Sequence, residues 1–222
     1  MKKLIVPFAL SALVFACTNA PEADKATTTD KQEVKAADGA SYVIDASSSV
    51  TWTGTKPNGS HSGTFKLKDG SLAVKDSALT GGSFVIDITS LNNTDLAADT
   101  ASKAKLEGHL KSPDFFDAAK YPTAKFEITG VEPFKYDSLT MKDVKMKDAT
   151  HTIKGNLTLK DSTKNVSFPA KVSVTATQVT AMADFNIDRT VWGMSYKGPN
   201  NPQDWFIRKE VNIKINLSAT KK

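Results

Sequence analysis

Three histidines, a scatter of carboxylates, two arginines and a single cysteine are the residues of this 222-residue chain that could carry chemistry. His61, His109 and His151 form no HExxH pair, so the spacing for a helical zinc site is missing. Gly59-Ser60-His61-Ser62-Gly63 spaces its glycines like a nucleophile elbow, but its centre is histidine and no strand-to-helix turn surrounds it. Neither GxGxxG nor GxxxxGK[ST] occurs, which removes the usual phosphate cradles. His61 and His109, joined by an aspartate, supply metal-ligand types; ordinary hydrogen-bonded histidines at a surface or cavity mouth are the simpler expectation. Asp114 and Asp117, three residues apart at a helix start, read first as capping groups. No catalytic residue, metal ion or cofactor is expected.

The cysteine carries more information. Cys17 follows Lys2, Lys3 and the apolar run Leu4–Ala16. A basic start, about a dozen apolar residues and a small residue make a secretory signal, too short to span a bilayer as a helix. Val14-Phe15-Ala16-Cys17 resembles a bacterial lipobox, with Phe15 larger than the usual residue there. The expected organisation is a signal peptide at 1–16, a lipidated Cys17 with a disordered tether to residue 40, and one domain over 41–222. The protein is expected to be exported and lipid-anchored to a bacterial membrane, periplasmic or at the cell surface. Residues 18–40 contain no aromatic and one large aliphatic, Val34, too little apolar surface to offset chain entropy. As a coil they reach roughly 25–30 Å.

With the cysteine committed to a lipid, no disulfide, cysteine nucleophile or thiolate metal site is expected. The net charge is +5. Only Arg189 and Arg208 are arginines, and the lysines alternate with polar and acidic residues. That is a solvated sheet face rather than the clustered basic patch of a nucleic-acid reader. A weak attraction to an anionic membrane surface fits better.

From Ser41 the pattern has period two. Val50, Trp52 and Gly54 alternate with threonines; Phe84, Ile86 and Ile88 with Val85, Asp87 and Thr89; Ile153, Gly155, Leu157 and Leu159 with polar residues. Val166–Val174, Ala183–Ile187 and Val211–Leu217 repeat this. Such alternation gives one wet and one dry face, as in antiparallel sheets. Turns are expected at Pro57-Asn58-Gly59, Asp69-Gly70, Gly81-Gly82 and Asp161–Asn165. A single open sheet would leave its dry face and edges uncovered, so it must fold over into a sandwich or close into a barrel. The fold class is all-β and antiparallel, with eight or more strands. One or two short helices are expected in the 95–121 connection, the first over about Thr100–His109. The second would be capped by Ser112, with Pro113 at its first position.

Several segments resemble the YceI-like family of exported lipid-binding proteins. Tyr42-Val43-Ile44-Asp45 leads into Val50-Thr51-Trp52; His61-Ser62-Gly63-Thr64-Phe65 resembles the family's early strand. His109-Leu110-Lys111-Ser112-Pro113-Asp114-Phe115-Phe116-Asp117, followed by Tyr121-Pro122 and Phe126, is the most distinctive stretch. Gly155-Asn156-Leu157-Thr158-Leu159 and Asp188-Arg189 with Trp192-Gly193 follow in order. The resemblance, over roughly Ser41–Ala219, implies a lipocalin-like antiparallel barrel of eight or more strands with a tunnel for an isoprenoid, quinone or fatty-acid-amide tail. The residues expected to touch that tail are Phe65, Phe84, Ile86, Phe126, Leu157, Phe168, Phe185 and Ile187, with Phe115 and Phe116 at one end. His61, His109 and Arg189 are candidates near the head group; Arg189 could instead pair with Asp188 or Asp184. Gly54, Gly155, Ala170 and Ala183 would leave the room. The expected partners are an amphiphilic lipid and, through the acylated N-terminus, the membrane; a homodimer is left open. The competing reading is a filled barrel that binds another protein through its loops.

Overall fold

The computed structural model describes residues 20–198 and 206–222. The signal segment and Cys17 lie outside the described residues. Eight staves make the barrel. The first is interrupted: β3 (Ala40–Ile44) and β4 (Ser49–Lys56) run in one direction between the same two neighbours, β11 (Glu210–Lys221) and β5 (Gly59–Lys75). The break at 45–48 is stitched to β11, since Asp45 accepts from the hydroxyls of Ser218 at 2.6 Å and Thr220 at 3.1 Å. Antiparallel pairing continues through β6 (Ala78–Asn93), β7 (Thr123–Pro133), β8 (His151–Leu159), β9 (Ser162–Val174) and β10 (Gln178–Asp188) back to β11. The closed, eight-staved antiparallel barrel is the architecture that the family resemblance implies, and of the two closures the alternation allows, sandwich or barrel, it is the second.

Two turn expectations fail for a common reason. Asp69-Gly70 lies inside the long β5, where the register against β6 shifts. Gly81-Gly82 likewise lies within β6. Their glycines serve bulges, and bulges bend strands tightly enough to close a barrel. The hairpin between β5 and β6 is made by Asp76 and Ser77, with φ of 50° and 63°, a primed turn without glycine.

The dry face packs as the alternation requires. Phe84 stacks on Phe126 at 5.2 Å, Phe126 meets Phe168 at 6.0 Å, and Phe168 stacks on Phe185 at 4.0 Å. This aromatic belt ties β6, β7, β9 and β10. Gly155 does not leave open room, because a Cβ there would fall on the Phe126 ring. Gly54 does, with nothing within 4 Å of an added Cβ.

The expected free tether is the largest departure. Residues 24–30 form two short strands, β1 (Asp24–Lys25), parallel to β10, and β2 (Thr27–Asp30), antiparallel to β9. β9 and β10 pair directly only over Lys171–Val174 and Val179–Met182; beyond that their facing edges take this N-terminal strap. Buried Asp24 accepts from the Lys145 and Met146 amides at 2.9 and 2.8 Å. Asn156, fully buried, brackets the Gln32 backbone, donating at 2.7 Å and accepting at 3.0 Å. Apolar content alone underestimated the segment: unpaired strand edges and two buried polar side chains hold it.

Candidate functional site

One end of the barrel is built from three pieces. The β4–β5 turn places His61 opposite Gly54. The helix α1 (Thr100–Lys111) crosses nearby; Asp99 caps it by accepting from Ser102 N–H at 3.0 Å. Buried Asn93 anchors it, its own N–H donating to Glu107 Oε1 at 2.7 Å. The third piece is a 3₁₀ turn at Arg189–Trp192, capped by Asp188 and ended by Gly193 at φ 74°. The expected second helix is absent: Ser112 caps the C-terminus of α1, and residues 113–120 form turns. These turns carry Phe115 and Phe116 inward, with Phe116 edge-on to Phe65 at 5.4 Å.

Inside lies a cavity of about 290 Å³, near the lower edge of small-molecule sites, roughly 300–1,000 Å³. Of the residues expected to meet a tail, Phe65, Phe84, Ile86, Phe115, Phe116, Phe126, Leu157, Phe185 and Ile187 stand in its wall. Phe168 does not; it packs face to face on Phe185. Ala170 and Ala183 are also outside the wall. The alternation pointed equally to Val50, Trp52, Ile88, Leu159, Val166, Val211, Ile213 and Ile215, which line the cavity too. Leu106 and Leu110 of α1, with Met194 and Ile207, close it in; only the three-dimensional arrangement reveals these four.

His61, His109 and Arg189 all reach the wall, but each is already engaged. His61 Nδ1 lies 2.8 Å from Asp95. Burial pushes the Asp95 carboxyl up, and the Ser62 amide, His61 and Asn93 together outweigh it, leaving it below the ordinary 3.8. His109 Nε2 pairs with Asp114 at 2.9 Å, its ring edge-on to Tyr196 and Phe115. The two histidines thus have separate carboxylates. Among the described residues no group of three His, Cys, Asp or Glu side chains is placed to hold a metal ion.

Arg189 departs from expectation in its partners. It is 3 % exposed and donates to the carbonyls of Arg208, Met194, Tyr196 and Ile207. Asp188 instead pairs with Lys209 at 3.2 Å and Asp184 with Lys214 at 3.1 Å. Burial lowers the Arg189 pKa, opposed by Asp188. The guanidinium binds the backbone at Met194 and Tyr196 to that at Ile207 and Arg208, a structural role.

A closed antiparallel barrel with an apolar interior cavity and a helix at its polar end is a lipocalin-like architecture. The YceI-like domain family matches residues 42–219, and the chain belongs to that family. A curated relative from Azotobacter vinelandii, described as a UPF0312 protein, is 35 % identical over 109 residues; the match spans 49 % of this chain and about half (47 %) of that relative. The solved structure of BcnA from Burkholderia cenocepacia has a TM-score of 0.61 at 22 % identity, over 80 % of this chain and 99 % of its own. A polyisoprenoid binding domain from Saccharophagus degradans gives 0.55 at 14 %, over 83 % and 100 %. At these identities the two structures speak to the fold.

Proposed function

We propose that the protein is an exported, lipid-anchored carrier that shelters the apolar tail of an amphiphile, an isoprenoid, quinone or fatty amide, inside its barrel. The cavity carries this reading: its wall is aliphatic and aromatic along the barrel, and polar residues gather at the end bearing Lys56, Ser60, His61, His109 and Arg189. A tail gains roughly 25 cal/mol per Å² removed from water, so a dry channel suffices for affinity. Membership of the YceI-like family, and the polyisoprenoid binding domain among the neighbours, support the same reading. The docked strap alters the anchoring geometry. Pro21 accepts from Asn186 at 3.0 Å, so three residues, or four Cα–Cα steps, separate Cys17 from docked chain. Those span at most roughly 14 Å, and an acylated Cys17 would hold the barrel close against the membrane.

Native mass spectrometry of residues 18–222, purified without detergent and followed by solvent extraction, tests the carrier reading. A stoichiometric hydrophobic adduct is expected. Gly54→Leu, which projects into open cavity space, should abolish the adduct and melt near the temperature of the delipidated wild type. A bare mass that also fails to take up prenyl quinones or fatty amides sinks the carrier and favours the filled-barrel interaction module.

A further inference from the structure

The cavity reaches only part of the way down the barrel. On every stave its wall is drawn from the part nearer the polar end. Phe126 lines it and Ile128 does not; Phe185 does and Ala183 does not; Ile215 does and Leu217 does not. Beyond that level, toward the Asp76-Ser77 hairpin, the interior is filled core. Tyr42 and Leu72 are buried there, and Val179 and Ala219 are 0 % exposed, which leaves no water-sized gap beside them. Interiors packed to this density yield little to an incoming chain.

The boundary is aromatic. Phe84 faces Phe126 across β6 and β7 and stacks on it at 5.2 Å. Phe126 meets Phe168 at 6.0 Å, and Phe168 stacks on Phe185 at 4.0 Å. An eight-stranded barrel is just wide enough for side chains to fill it, and rings in contact from β6 to β10 do so at this level. Phe126 has no room to swing aside. Its ring lies so close to β8 that a Cβ on Gly155 would fall on it, and Phe84 and Phe168 flank it.

The space above the rings is about 290 Å³. An apolar cavity of about 150 Å³ takes up one benzene. At the same filling this one holds roughly 10–15 carbons, two to three isoprene units. A tail entering from the polar end stops on the rings, and a longer one keeps its remainder outside.

Resting on the carrier reading above, we propose that the belt of Phe84, Phe126, Phe168 and Phe185 is the floor of a blind pocket and sets the length of tail the protein accepts. The ligand it selects is a short prenyl or acyl amphiphile rather than a long polyprenyl chain threaded through the barrel.

A homologous series with one ketone head tests it by titration. Prenylacetone, geranylacetone, farnesylacetone and geranylgeranylacetone carry one to four isoprene units. Affinity should rise about 10- to 100-fold from one unit to two, as added carbons leave water. From three units to four it should rise less than about 3-fold, because the last unit finds no space. Phe126→Ala removes a ring about the size of one isoprene unit and should restore a gain of about 10-fold at the fourth. Phe126→Leu, a milder truncation, should restore part of that gain and serves where the alanine variant does not fold. A gain of about 10-fold or more at the fourth unit in the wild type, or a plateau that neither variant moves, overturns the floor while the carrier stands. Binding of no member of the series overturns the carrier itself, and the floor with it.

Discussion

At the scale of single residues, the polar end of the cavity is organised by groups that already have partners. Asp95 takes the Ser62 amide, the Asn93 side chain and His61 onto one carboxylate, tying β5 to the connection before α1. Its folded pKa is held below the ordinary 3.8. A depressed carboxyl contributes stability above its unfolded value and loses it as pH falls through the folded one. Asp95→Asn should therefore lower the melting temperature at pH 7, by an amount worth roughly 1–3 kcal/mol. The gap between variant and wild type should shrink below about pH 4, a trend that thermal melts from pH 7 to pH 3 would reveal; a constant gap counts against the assignment. Arg189 teaches a related lesson. Its residue type suggested a head-group contact or an ion pair, and neither Asp188 nor Asp184 takes it. What decides the matter is a set of backbone carbonyls, those of Met194, Tyr196, Ile207 and Arg208, which no side-chain pattern advertises. Asp95 was equally hidden, since its neighbours His61 and Asn93 come from separate strands.

At the scale of elements, the staves were legible wherever one face is wet and the other dry: period two marks β4, β8, β9, β10 and β11, and α1 begins at the expected Thr100. Glycine-bearing pairs misled, because Asp69-Gly70 and Gly81-Gly82 have the composition of turns and the geometry of bulged strands; composition does not distinguish a chain that reverses from one that bends. Phe168 misled in another way, sharing the inward phase of its strand but covered by Phe185. The strap was missed because it buries little apolar surface and relies on pairing with edges over 130 residues away. Asp24→Ala should loosen that element alone. Hydrogen exchange at Thr27–Asp30 and at Lys145 and Met146 should quicken about 10- to 100-fold, in keeping with the loss of charge-assisted bonds to two amides. Exchange at Phe126 and Ile153 should not change. Uniform acceleration across the barrel would mean that the strap and the core open as one unit.

At the scale of the whole molecule, an occupied barrel should be more stable than an empty one, since whatever binds only the folded state stabilises it by mass action. A ligand at about 100 times its dissociation constant contributes roughly 2.7 kcal/mol, or a rise of about 5–10 °C in melting temperature for a domain of this size. Calorimetry of delipidated protein with and without farnesylacetone measures it, and an unchanged transition argues for a barrel that binds nothing. The pairing of the strap also has a temporal consequence. Thr27 is matched to Ser167 and Asp24 to Phe185, and the first stave is closed by β11, at the C-terminal end of the chain. In a chain that emerges N-terminus first, the strap has no partner until β9 and β10, more than 130 residues later, have followed. Contacts this distant are slow to form because loop closure must precede any gain. The strap is made before the strands it joins and is among the last elements to find its place, and during that interval the edges of β9 and β10 stay open to any other strand that reaches them.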